Sequence, residues 1–180
     1  MRFPNICLCG VLVFATSAAG LAQTNKAKTP ARAAKPAHVI IAPGAVKWVV
    51  PPAGMITGTP SVEAGGPLQY AVLEGDPTKV GRPYTIELGC SDGYKVAPHW
   101  HPGDENLIVF RGTFALGAGD TYDPAALRDM GVGSYGFMLR RMHHFGSCKG
   151  ETRIVVYGTG PFQLNFLSPS GGAQKKPAAK

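Results

Sequence analysis

No apolar run in this sequence is long enough to cross a membrane as a helix. The longest, Ile6 to Ala19, is too short and too interrupted. No segment repeats, and no helix-turn-helix pattern is present, which argues against a DNA-linked regulator. A sustained surplus of one charge is missing from the middle of the chain. The formal net charge is +7, but Lys26, Lys28, Arg32, Lys35, Lys175, Lys176 and Lys180 stand near the ends. Between Ala37 and Gly172 there are 10 basic and 11 acidic residues, so no basic face for nucleic acid is expected. Cysteine is scarce, with 4 in all, and Cys7 and Cys9 come too early in the apolar stretch to anchor a lipid.

What is present divides the chain into four parts. Residues 1–22 read as an export signal: Arg2, then the apolar stretch, then the small residues of Gly20-Leu21-Ala22. Residues 23–37 read as a disordered basic linker of Lys, Ala, Thr and Pro, and residues 169–180 as a disordered tail. The expected location is therefore periplasmic or secreted, with no stable membrane insertion once the signal is removed. Residues 38–168 carry short runs rich in Val, Ile, Thr and Tyr between Gly and Pro punctuation. That pattern predicts one all-β domain, a sandwich or barrel.

Strands are expected over Leu68–Glu74, Pro83–Leu88, Glu105–Arg111, Gly112–Leu116, Ser134–Leu139, Glu151–Tyr157 and Phe162–Leu167. Two β-like pieces are expected within Val39–Val50. One short helical insert should start at Asp123-Pro124 and run through Met130 to Gly131. Tyr84, Ile86 and Leu88 share a core face, with Tyr84 a candidate for the pocket or for support behind the ligands. Ile108 and Phe110 point away from the core face yet are apolar, which calls for a cover: another sheet or a second subunit. Trp48 reads as a core or lid residue.

The stretch Gly93–Gly112 organises the rest. Side chains alternate along a strand, so His99 and His101 share a face. Pro102, Gly103 and Asp104 turn the chain and bring Glu105 back beside them. Two imidazoles and a carboxylate on a hairpin suit a first-row divalent metal. A further ligand must come from later in the chain, where His143 and His144 are the only histidines.

The spacing of Gly93, His99, His101, Glu105 and Gly112 resembles the first motif of the cupin superfamily. A second motif is matched in part from Gly133, with its histidine falling on His144. Leu139, Arg141 and Cys148 stand where the family has Pro, Gly and Asn. The resemblance covers roughly residues 68–168. It implies a double-stranded β-helix, or jelly-roll cupin barrel, and a single metal held by His99, His101, Glu105 and His144. His143 is then a pocket residue or a support behind the ligands. Iron, manganese, nickel, copper, cobalt and zinc all suit that donor set. The resemblance further implies a small-molecule ligand and a homodimer.

Two classes of function remain open: a metalloenzyme, which by the resemblance is an oxygenase of the quercetin-dioxygenase sort or a small-molecule isomerase or decarboxylase, or a metal or small-ligand binder without turnover. No extra acid or base stands out near the motif, which disfavours reactions that need one. Cys90 and Cys148 each adjoin one half of the site, and can be disulfide-bonded or two separate thiols.

Overall fold

The computed structural model describes residues 38–167. The expected signal, linker and tail all lie outside the described residues. Nine strands form one curled sheet: β1 (Ile56–Thr57), β2 (Gln69–Gly75), β3 (Pro83–Cys90), β4 (Lys95–Trp100), β5 (Glu105–Ala118), β6 (Arg128–Met130), β7 (Tyr135–Met138), β8 (His144–Thr159) and β9 (Leu164–Phe166).

The two long strands are the frame. β5 and β8 pair antiparallel from Glu105↔Gly158 to Ala118↔His144. The first half of β8 also pairs β4, through His99↔His144, and the second half pairs β3, from Pro83↔Thr159 to Cys90↔Thr152. β5 takes β7 on the free edge of its first half and β6 on that of its second. β9 joins β4 and β1. A strand shared by three others must be apolar on its inner face, and Ile154 and Val156 meet Ile86, Leu107 and Val109 there. Ile86, Val109 and Val156 are fully buried, each worth roughly 1.5–3 kcal/mol of transfer free energy.

Glu105–Arg111 and Gly112–Leu116, read from sequence as two strands, are one bent strand. The bend is a pair of register shifts around Arg111 and Thr113. Gly112 sits there at φ 68°, with the Glu151 carbonyl 2.5 Å from where a Cβ would be, so only glycine fits. Buried Thr152 pins the bend by donating its hydroxyl to the Thr113 carbonyl at 3.0 Å.

The helical insert is shorter than expected. Asp123 caps as read, accepting from the Ala125 N–H at 2.9 Å, but the turn ends after Pro124–Ala126. Leu127 is already extended, because Arg128–Met130 pairs with Leu116–Phe114 of β5 and cross-strand pairing outweighs one more helical turn. Of the two β-like pieces in Val39–Val50, only Val49 pairs, with Tyr70. Pro43–Ala45 between them is a 3-10 turn.

On the outer face, the Glu87 carboxylate is buried and pairs with Arg153. The Arg153 guanidinium lies between the Trp48 ring, at 5.0 Å, and the Phe110 ring, at 5.4 Å. Trp48 is therefore neither inner core nor pocket lid; it covers this ion pair and packs over Gly89. Beyond it, Ile108, Phe110, Tyr135 and Phe137 form an exposed apolar face over β5 and β7.

Candidate metal centre

The four expected ligands meet at one end of the inner face. β4 carries a register shift between Val96 and His99, so that both side chains point inward although they are three positions apart. Pro98, which has no N–H to give a ladder, fits such an irregular position. His101 follows β4 directly, and the turn Pro102–Asp104 returns the chain so that Glu105 opens β5. His144 opens β8 beside His99. All four side chains are buried.

Each imidazole is oriented by main chain. Nδ1 of His99 donates to the Ala97 carbonyl at 2.8 Å, that of His101 to the Gln163 carbonyl at 2.6 Å, and that of His144 to the Met142 carbonyl at 3.0 Å. A carbonyl only accepts, so each bond holds the proton on Nδ1 and leaves the Nε2 lone pair inward. The three rings bring ligand nitrogens within 4.8 Å of one another, a group that could hold a metal ion. The Glu105 Oε2 lies 3.3 Å from Nε2 of His101 and 3.3 Å from Nε2 of His144.

Electrostatics sharpen this picture. Oε2 of Glu105 and Nε2 of His101 are buried without a hydrogen-bond partner. Two lone pairs facing each other at such a distance repel unless a proton or a cation lies between them. Burial disfavours the charged form of His101, but the Glu105 carboxylate more than offsets it and raises its pKa. Burial likewise pushes the Glu105 pKa up, and the His101 and His144 imidazoles outweigh it and hold the carboxyl well below its usual range. His99 is driven well below the ordinary histidine value by burial, then by His144 and His101, so it stays neutral. A divalent ion binds neutral imidazole nitrogens and an ionised carboxylate; His99 and Glu105 are held in those forms, and at His101 the same carboxylate favours a positive charge that an ion would supply in place of the proton. The donor set therefore fits a metal.

Other expected residues fall around this cluster. His143 turns outward, with Nδ1 2.7 Å from the Asp120 carboxylate, so His144 and not His143 joins the cluster. Tyr84 does not line the cavity. It lies behind Glu105, its hydroxyl reaching over Gly158, the residue that pairs with both Tyr84 and Glu105. Arg141 holds the left-handed conformation, φ 61°, where the cupin pattern has glycine; its N–H donates to the His101 carbonyl at 2.8 Å. A non-glycine residue thus makes the turn before His144, anchored to the ligand-bearing segment at His101.

Neither Arg140 nor Arg141 lines the cavity. Arg140 binds Asp104 through its N–H, and Arg141 lies 6.0 Å over Trp100. Cys90 and Cys148 are disulfide-bonded. Phe162, stacked on His101 at 5.0 Å, was read from sequence only as part of a strand. The turn Gly160-Pro161 before it gives no sign of that partner.

Beside the cluster is a cavity of about 40 Å³ bounded by Leu88, Val96, Leu107, Phe114 and Ile154 among others.

No protein-family model and no curated protein matches the sequence. Solved structures do share the fold. A putative acetylacetone dioxygenase from Methylibium petroleiphilum PM1 is 19% identical, over 77% of this chain and 87% of that one, with a TM-score of 0.53. The polyketide cyclase RemF from Streptomyces resistomycificus is 18% identical, over 71% and 81%, with a TM-score of 0.50. A cupin superfamily protein from Desulfitobacterium hafniense DCB-2 is 15% identical, over 55% and 84%, with a TM-score of 0.43.

Proposed function

We propose that this chain, whose fold is that of the cupin superfamily, holds one divalent transition metal through His99, His101, His144 and Glu105 and uses it as a small-molecule dioxygenase. The observation that carries the metal reading is the set of three Nδ1–carbonyl bonds, which leave three buried Nε2 atoms free for a shared ion, two of them beside a carboxylate oxygen lacking a hydrogen-bond partner. A bound redox-active ion would supply the one-electron chemistry that dioxygen needs to react with an organic molecule.

The chain's own residues do the rest. The imidazoles and the carboxylate fix the ion at the cavity's end. Apolar walls keep water from it. The carbonyls of Ala97, Met142 and Gln163 keep the ligand rings from turning. The likeness to the Methylibium protein supports the reaction class. The lack of any added acid or base along the cavity also suits a reaction that asks for little beyond the ion.

A second reading is a metal or small-ligand binder without turnover. The cavity volume of about 40 Å³ favours it, since little room remains for a substrate. Elemental mass spectrometry of the purified protein beside a His144→Ala variant tests the shared premise: near-stoichiometric metal, lost in the variant. Oxygen-electrode assays of the metal-loaded protein with chelating enols and catechols then separate the two. Consumption of dioxygen supports the first reading, and binding without consumption supports the second.

Export is part of the proposal. It is supported by the signal-like residues 1–22 and by the Cys90–Cys148 disulfide, which belongs in an oxidising compartment. The homodimer implied by the cupin resemblance would cover Ile108, Phe110, Tyr135 and Phe137. Light scattering of the wild type against Phe110→Lys measures it: a dimer that the variant dissociates.

A further inference from the structure

We infer that the cavity takes a compact ligand with one polar end toward the histidine cluster and an apolar body, and that the Cys90–Cys148 disulfide is the wall that limits its size. The first half rests on the proposed metal site for the polar end; the apolar body rests on the cavity alone.

Apart from the four candidate ligands, every side chain lining the cavity is hydrocarbon, aromatic or disulfide sulfur. No hydroxyl, amide or cation is among them. Outside that lining, the side chains of His143 and Ser147, neighbours of ligand and disulfide in the chain, have other partners: His143 pairs with Asp120, and the Ser147 hydroxyl donates to the Tyr94 carbonyl. A hydroxyl or amine on the ligand body would lose water and gain no partner.

Both cysteines line this cavity. Cys90 ends β3, and Cys148 lies on the same face of β8 as His144, four residues on. The bridge thus straps two strands across the space. Its backbone is held on both sides of the Ser91–Tyr94 turn: Gly93 N–H donates to the Cys148 carbonyl at 2.9 Å, and Cys148 N–H to the Tyr94 carbonyl at 2.8 Å. A leucine or methionine in that place could change rotamer to admit a larger guest. A disulfide joined at both ends cannot.

Two experiments test this. Xenon-pressurised crystals of the metal-free protein test the cavity without any metal: a xenon atom against Leu88, Ile154 and the disulfide is expected, and an empty cavity overturns the inference. Cobalt(II)-loaded protein is then titrated with acetohydroxamate, hydroxyurea and benzohydroxamate, followed by the visible cobalt bands. Hydroxyurea carries an amine where acetohydroxamate carries a methyl. The preference for acetohydroxamate should exceed that of aqueous cobalt by about tenfold or more, and benzohydroxamate should bind about tenfold more weakly than acetohydroxamate.

Cys90→Ala/Cys148→Ala should remove the second discrimination and leave the first. If that pair fails to fold, Cys90→Val/Cys148→Ala takes its place. Aqueous-like ratios in the wild type overturn the ligand class, and a folded variant with unchanged size preference overturns the wall. Failure to take up cobalt counts against the metal reading and leaves the xenon result to decide for the cavity.

Discussion

Two buried carboxylates lie on opposite faces of the same sheet. Glu87 on the outer face is paired with Arg153, whose guanidinium is stacked between Trp48 and Phe110. Glu105 on the inner face meets only imidazole nitrogens, and its Oε2 has no hydrogen-bond partner. Burying a charge is costly unless it is compensated. The outer site carries its compensation in the chain. Among the described residues, no lysine or arginine lines the inner cavity, so its compensating charge has to come from a proton or an added cation. The outer carboxylate has its cation within the chain, and the inner one does not.

Breaking the outer pair should give the largest effect. Arg153→Ala leaves Glu87 buried alone and should cost about 3–5 kcal/mol of folding stability, measured by chemical denaturation, with metal affinity unchanged in the folded fraction. Glu105→Gln should do the opposite. The metal-free protein should unfold at the same denaturant concentration or a higher one, while metal affinity falls by about 10–100-fold or more in a competition titration.

Gly158→Ala tests the link between the carboxylate and Tyr84. A Cβ there would meet the Asp104 carbonyl at 2.8 Å and the Tyr84 hydroxyl at 3.1 Å. About 1–3 kcal/mol of stability should be lost, together with part of the metal affinity, because the strand that seats Glu105 must shift. Tyr84→Phe at the same place should leave the fold intact.

The pH dependence follows from His101. Glu105 raises its pKa, so in the metal-free protein it keeps its proton to higher pH than an ordinary histidine, and the stability this proton lends is lost as pH rises through the raised value. Metal must displace that proton. Affinity should therefore fall as pH is lowered, by about tenfold per pH unit once the proton is bound. Isothermal titration at several pH values, in buffers of differing ionisation enthalpy, reads the proton release directly.

The smallest effect should come from Arg141→Gly. Relieving a left-handed non-glycine residue gains about 1 kcal/mol. Losing the stacking of Arg141 on Trp100 gives back about 0.5–1 kcal/mol at an exposed site. The midpoint of thermal unfolding should scarcely move.

The inner site was largely legible in the sequence because its parts are local. Strand alternation places His99 and His101 together, and a three-residue turn returns Glu105 to them. His144 could be paired with them only through the cupin resemblance, and the choice against His143 was decided by the β4–β8 register. The outer pair was not legible at all. Glu87 and Arg153 are 66 positions apart in sequence, and nothing near either one names its partner. They meet because Glu87 pairs with Val155 and Gly89 with Arg153 across β3 and β8. That register sets Cys90 opposite Thr152, and the turn after Cys90, bonded to Cys148 through Gly93 and Tyr94, completes the approach of the two cysteines, which the sequence left open. The insert after Asp123 was misjudged in length because capping chemistry marks where a helix starts, while a distant strand, β5, decides where this one stops.

The groups that aim the three imidazoles are carbonyls of Ala97, Met142 and Gln163, and a carbonyl is present whatever side chain its residue carries. Point mutation can delete a carboxylate or an amide that steers a ligand, but it cannot delete these. The cavity walls, by contrast, are ordinary side chains, each open to replacement. Substitution can therefore reshape what the cavity admits while the aim of the three histidines stays as it is.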